Sequence, residues 1–266
     1  MRPALVVLCA LFAVSLLALP RVEAEAVPAQ TANYALAKAE CQKLLDTTRY
    51  TDTQTACEKA LKAAEHAYGP EHLAIAELLH DLGVVLEDKG KSVESEAICQ
   101  RSLSMVQSLA GKEHLLAASD LTCLGDAASS LGRYQKAAEL YEEALSIQRK
   151  LLGNEHLKVA ETLDRLADTA SNLGQYRRAN ILFQQALSLA KKTSSAEHPE
   201  VAVTMNNMAI NLRRQGLYAQ AEDLYIKAWK ITEKTQGRDG YKMAAIMHNM
   251  ATVVYEKGDY ARAEAL

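Results

Sequence analysis

One spacing governs this chain. His72, His114, His156 and His198 stand 42 residues apart. Three of them close the same turn, Gly69-Pro70-Glu71-His72, Gly111-Lys112-Glu113-His114 and Gly153-Asn154-Glu155-His156; Ser195-Ala196-Glu197-His198 is a variant without the glycine. Gly90, Gly132, Gly174, Gly216 and Gly258 form a second column on the same spacing. Tyr134, Tyr176, Tyr218 and Tyr260 follow it by two residues, with Tyr50 in phase upstream, and Gly237-Arg238-Asp239 keeps the phase of the first turn. A period of this length restricts a chain to a stack of similar units, because one unit is too small to bury its own apolar face.

Between the breakers each unit carries two stripes of helical spacing. Leu121, Leu124, Gly125 and Ala128 fall at i, i+3, i+4 and i+7; after Gly132 the pattern resumes with Ala137, Leu140, Tyr141, Ala144 and Leu145. A glycine between stripes suits the left-handed residue that ends a helix. Proline or acidic residues in the second turn favour the start of the next helix. No alternating Val/Ile-rich stretch competes, so the reading is two helices per unit. Small residues recur where such helices must cross: Gly83, Gly125, Ala167, Ala209 and Ala251 in the first helix, and Ala60, Ser102, Ala144, Ala186 and Ala228 with Ala137, Ala179, Ala221 and Ala263 in the second. The larger Tyr141, Phe183 and Tyr225 lie between the second-helix columns and fill the gaps the small residues leave. An aromatic fraction of 5% suits such packing better than a sandwich or barrel.

This pattern resembles the tetratricopeptide repeat, and the 42-residue unit with its Gly-x-Glu-His turn resembles the kinesin-light-chain subclass. Asn206-Asn207-Met208-Ala209 and Tyr218-Ala219-Gln220-Ala221-Glu222 carry the likeness most closely. It covers residues 70–266 well, as about five units with the last incomplete, and 32–69 loosely. The resemblance implies an all-α, right-handed superhelical solenoid of antiparallel helix pairs. Thr48, Thr53 and Glu40 depart from the pattern in the first unit, which is therefore read as a degenerate N-terminal capping pair over 32–69. Leu266 falls a few residues into a second helix, so the chain is read as a piece of a longer array.

The N-terminus is read separately. Arg2 gives a positive start, Ala4 to Leu19 is apolar except for Ser15, and Val22-Glu23-Ala24 offers small residues at a cleavage site. Residues 1–24 are predicted to be a secretory signal peptide, followed by a short linker over 25–31. The alternative is an uncleaved anchor, for which the run is short. Cys9 follows Leu8 too early for a lipoprotein cysteine. The expected location is secreted or periplasmic, with no stable membrane insertion after cleavage. A formal net charge of −3 gives no electrostatic case for nucleic acid.

Four histidines on a regular period invite a metal. Equivalent residues of stacked repeats are about 8–10 Å apart, whereas ligands of one Zn²⁺ each lie about 2 Å from it. The histidines are read instead as turn residues set against a helix end, and no metal or cofactor is expected. His80 and His248 lie within first helices without a recurring ligand partner. Gly-x-Ser-x-Gly, His-Glu-x-x-His, the P-loop and Gly-x-Gly-x-x-Gly are absent. The chain is read as having no catalytic residues.

After signal cleavage Cys41, Cys57, Cys99 and Cys123 remain, with no zinc or redox spacing. Through the columns that touch in the repeat fold, the resemblance implies Cys41–Cys57 and Cys99–Cys123 disulfides; four buried thiols acting as small hydrophobes are the alternative. The resemblance also places first helices along a concave groove that takes extended peptides. Groove positions are Glu77, His80, Asp126, Glu161, Asp164 and Asp168 in the earlier units, then Asn206, Arg213, Arg214, His248 and Tyr255, with Asn207 and Asn249 nearby. The groove is expected to be acidic toward the N-terminus and basic at Arg213-Arg214, a pair suited to a carboxylate. Asparagine amides offer both a donor and an acceptor to a peptide backbone. The Lys/Asn constellation that clamps a free peptide C-terminus in some family members is not reproduced. The expected function is a non-enzymatic scaffold that binds a protein or peptide partner. The alternatives are a solvated polar face, or the recognition array of a larger protein whose effector domain lies beyond residue 266.

Overall fold

The structure, a computed structural model, describes residues 29–45, 50–236 and 241–266. Residues 1–24, Thr48 and Gly237-Arg238-Asp239 lie outside the described residues. Twelve helices run through the described residues: α1 (Ala29–Leu45), α2 (Tyr50–Tyr68), α3 (Leu73–Asp88), α4 (Ser92–Ala110), α5 (Leu115–Ser130), α6 (Tyr134–Leu152), α7 (Leu157–Asn172), α8 (Tyr176–Thr193), α9 (Pro199–Arg214), α10 (Tyr218–Gln236), α11 (Tyr241–Glu256) and α12 (Tyr260–Ala265). No strand occurs among the described residues. Helix α1 begins at Ala29, inside the stretch expected to be linker. Pro28 is well placed to precede a helix start, and Ala29-Gln30-Thr31-Ala32 contains no breaker.

Both periodic columns prove to be helix ends. Gly90 has φ 71° and Gly132 φ 73°, a conformation that an L side chain resists. Behind each, the next residue's N–H returns to a carbonyl five back, Lys91 to Leu86 at 2.9 Å and Arg133 to Ala128 at 2.8 Å, and the chain reverses into the second helix. The periodic histidines are N-caps of α3, α5, α7 and α9. In each, Nδ1 accepts the backbone N–H two residues on: from Ala74 at 3.1 Å, Leu116 at 3.2 Å, Lys158 at 3.1 Å and Glu200 at 3.2 Å. Each cap satisfies one of the N–H groups that a helix start leaves unpaired.

The small-residue columns set how closely the helices approach. A Cβ on Gly125 would stand 2.5 Å from the Tyr141 ring, which is 2% exposed. One unit earlier, cysteine takes the aromatic place. Cys99 stands where Tyr141 stands, and a Cβ on Gly83 would meet its Sγ at 2.1 Å. Phe183 and Tyr225 fill the same position further on and are buried. Successive helices pack throughout, and odd-numbered helices also touch the next odd one, from α1 to α11. Among the described residues the even-numbered helices meet the next even one only through long side chains, as in the ion pairs of Lys136 on α6 with Glu96 on α4 at 2.8 Å and of Arg178 on α8 with Glu142 on α6 at 2.5 Å. Odd helices therefore crowd the inner, concave face, and even helices splay on the outside.

Candidate functional site

The concave face is a surface of odd-helix side chains, and most of its polar groups bond across repeats. The longest run is a relay of amides. Asn249 Nδ2 on α11 donates to Asn206 Oδ1 on α9 at 3.1 Å. Asn206 Nδ2 donates to Asn207 Oδ1 at 3.2 Å, and Asn207 Nδ2 donates to Asp164 Oδ2 on α7 at 2.8 Å. Each NH₂ has a second hydrogen and each carbonyl a second lone pair, so the relay keeps capacity for a ligand.

Arg213 and Arg214 diverge. Arg213 Nη1 reaches Glu256 on α11 at 2.6 Å, while Arg214 donates to Ser171 Oγ at 2.8 Å and to Asn172 Oδ1 at 2.9 Å on α7. Neighbours in sequence on a helix point about 100° apart, so these two brace opposite repeats and do not form one carboxylate fork. His248 and Tyr255 are exposed, and Tyr255 packs edge-on against Tyr260 with ring centroids 5.0 Å apart.

Toward the N-terminus the acidic groups are neutralised in place. Glu77 pairs with Lys38, and Asp120 Oδ1 lies 3.0 Å from His80 Nδ1. Asp126 accepts from Tyr141 Oη at 2.6 Å and from Arg165 Nε at 3.1 Å. Asp168 accepts from Asn172 at 2.9 Å. Burial pushes the carboxyls of Asp120 and Asp168 above their ordinary range, against the pull of His80 and Arg214. It pushes Asp164, 4% exposed, up to about 7. The charge at this end is thus smaller than a count of acids suggests.

Asp120, Arg165 and Gln148 belong to this face and escaped the sequence reading. The signal was a break in the column. Leu78, Thr162, Thr204 and Ile246 share the place of Asp120, and an ionisable group among them needs partners. It has them in His80 and in Ser102 Oγ, at 2.8 Å.

The cysteines come together in two pairs. Cys41 and Cys57 join α1 to α2 with Cα atoms 4.7 Å apart, and Cys99 and Cys123 join α4 to α5 at 6.3 Å. Among the described residues no group of three or more His, Cys, Asp or Glu is arranged to hold a metal. No helix among them is long and apolar enough to cross a membrane.

The profile of the tetratricopeptide repeat family matches residues 75–150, 121–192 and 200–266. The chain belongs to the tetratricopeptide repeat family. No curated protein matches it. Among solved structures, BtubC (BKLC) from P. vanneervenii is 21% identical over 90% of this chain and 88% of its own, with a TM-score of 0.60. A putative kinesin light chain from Podosopora anserina with nearly identical repeats is 22% identical over 78% of this chain and 97% of its own, TM-score 0.56. NprR in complex with its cognate peptide NprX reaches a TM-score of 0.68 at 15% identity, over 90% of this chain and 66% of its own. At these identities the likeness is one of fold. This tetratricopeptide repeat protein is a superhelical solenoid of helix pairs.

Proposed function

We propose that this chain is a non-enzymatic interaction scaffold that holds a polypeptide in extended form along its concave face. The observation that carries the reading is the relay of amides from α11 to α7, which presents alternating donors and acceptors along the groove with capacity unused. An extended backbone offers the complementary series. The solenoid neighbours give support of a general kind: NprR was solved with its cognate peptide, and a Rap protein with Competence and Sporulation Factor.

The test is partner capture with residues 25–266 as bait, read by mass spectrometry, against an Asn206→Ala/Asn249→Ala variant and an Arg213→Gln variant. Loss of the same captured polypeptides from the first variant, with an unchanged helical spectrum, is the expected result. Equal capture by wild type and both variants would remove the groove from the function.

The same proposal places the scaffold in a secretory or periplasmic space, supported by the apolar run Ala4 to Leu19 and the small residues before Glu25. N-terminal sequencing of exported protein should begin at Glu25. Retention of Met1 on material recovered from the cytosol would refute export.

A further inference from the structure

The relay of amides has a direction, and one residue sets it. Asn249, Asn206 and Asn207 each pass a hydrogen to the next oxygen, and the series ends on Asp164 Oδ2. An ionised carboxylate only accepts. Asn207 must therefore turn its NH₂ toward Asp164 and its oxygen toward Asn206, which fixes the other two amides in turn. Among the described residues these three amides bond only to one another and to Asp164. No other bond holds their orientation. The nitrogen and oxygen of an amide occupy nearly equivalent places, and half a turn about the last side-chain torsion exchanges them. A protonated Asp164 has a hydrogen to donate from Oδ2. With that hydrogen aimed at Asn207, all three amides can turn over, and every bond of the relay is remade in reverse.

The surroundings of Asp164 bring that proton within reach. Burial is the largest influence and raises the carboxyl; Asn207, Arg165 and Thr204 oppose it, and Glu200 on α9 adds to it. Arg165 is itself bonded to Asp126 on α5, and the other carboxylate of that helix, Asp120, is bonded by His80 and Ser102. On α6, Tyr141 bonds Asp126, and every Lys, Arg and Glu of α6 and α8 is exposed. We propose that Asp164 is a proton-operated switch for the groove, its ionised form holding the relay in one direction and its protonated form in the other. The open end of the relay, on α11, then changes character. With Asp164 ionised, Asn249 keeps an oxygen to accept a backbone N–H; with Asp164 protonated, it keeps an NH₂ to donate to a backbone carbonyl. The unused positions on Asn206 and Asn207 exchange likewise. A polypeptide bonded in one register fits one form and meets donor with donor in the other. The inference rests on the reading that a polypeptide lies along the groove, and it names what regulates that binding.

The experiment is a pH titration of the side-chain NH₂ resonances of residues 25–266 by NMR. In wild type those of Asn206, Asn207 and Asn249 should move together, with one midpoint near 7. Asp164→Asn should abolish that midpoint at all three. Asn207→Ala should abolish it at Asn206 and Asn249, because the series is cut. His248 adjoins Asn249 in sequence, so His248→Gln is the control and should leave the shared midpoint in place. A response confined to Asn207 would overturn the switch, since the proton would then sit on Oδ1 and the relay would keep its direction. So would a midpoint at Asn249 that survives Asp164→Asn and disappears in His248→Gln. Partner capture at about pH 5.5 and about pH 8.5, on either side of the midpoint, separates this idea from the reading beneath it. The amounts captured should differ roughly tenfold in wild type, the worth of one mismatched hydrogen bond, and converge in Asp164→Asn. Capture that depends on Asn206 and Asn249 but not on pH keeps the groove and discards the switch. A shared midpoint with capture indifferent to both asparagines keeps the reversal and discards the groove.

Discussion

Replacing Asp164 with asparagine should change how the stability of the array depends on pH. Asp164 is 4% exposed on α7; its Oδ2 accepts from Asn207 and its Oδ1 is unpaired. Burial is the main influence and pushes the carboxyl up to about 7, with the Asn207 bond opposing it and the charge of Glu200 adding to it. In the unfolded chain the same group ionises at its ordinary value of 3.8. Between those limits the folded chain keeps a proton that the unfolded chain has released. Stability is therefore fully present below 3.8 and falls as pH rises, until the folded carboxyl also ionises near 7. At about 1.4 kcal/mol per pH unit the whole fall is about 4 kcal/mol. Asparagine accepts the same bond from Asn207 and has nothing to titrate. Urea unfolding followed by circular dichroism should find the two proteins similar at about pH 4, and the variant more stable by about 2–4 kcal/mol at about pH 8. The lower figure allows for relaxation around the charge. A variant less stable than wild type at the higher pH would refute the reasoning, as would a difference that does not change with pH.

Three further outcomes follow from the packing and the caps. Gly125→Ala places a Cβ 2.5 Å from the buried Tyr141 ring, whose hydroxyl is held by Asp126, and should cost about 1–3 kcal/mol in urea unfolding; a gain, as alanine gives in an open helix, would mean that α5 and α6 are not in close contact. His156→Ala should cost about 1 kcal/mol by removing the cap on Lys158 N–H, and His156→Asn should recover most of it; equal losses would assign the histidine another role. Residues 25–266, denatured without reductant, should show no free thiol, and reduction should cost about 3 kcal/mol for each bond, given separations of 16 and 24 residues. Four titratable thiols would remove the disulfides.

The repeat was legible because each periodic residue does one local job that few residue types can do. A left-handed helix end calls for glycine, and a close crossing such as α5 on α6 calls for glycine or alanine. The histidine column was legible as a turn and illegible as a cap. Asn, Asp and Ser are the usual acceptors there, and only coordinates show Nδ1 facing the N–H. Column membership also placed Asn206, Asn249, Arg213 and Arg214 on the first helices. It could not say which neighbour each side chain reaches, because that depends on the rise between units, which a period does not encode. Hence Arg213 and Arg214, adjacent in sequence, turn to α11 and α7 respectively.

The same logic locates what a period cannot supply, namely specificity. A side chain that recurs in every unit answers to the stack, so it says little about a ligand. The exceptions answer to something else, and on the concave side they gather in the middle of the array. Asp120 replaces an apolar or threonine residue and is fully bonded by His80 and Ser102, so its burial is offset within the protein. Asp164 is half bonded, and Gln148 leaves its buried oxygen without a partner. An unpaired buried polar group is worth about 1–3 kcal/mol of lost stability, and Val106 and Thr232 show that this chain has cheaper residues for the column of Gln148. The fold alone gives no reason to keep Gln148. The stretch from α5 to α7 is thus where this chain departs furthest from its own repeat.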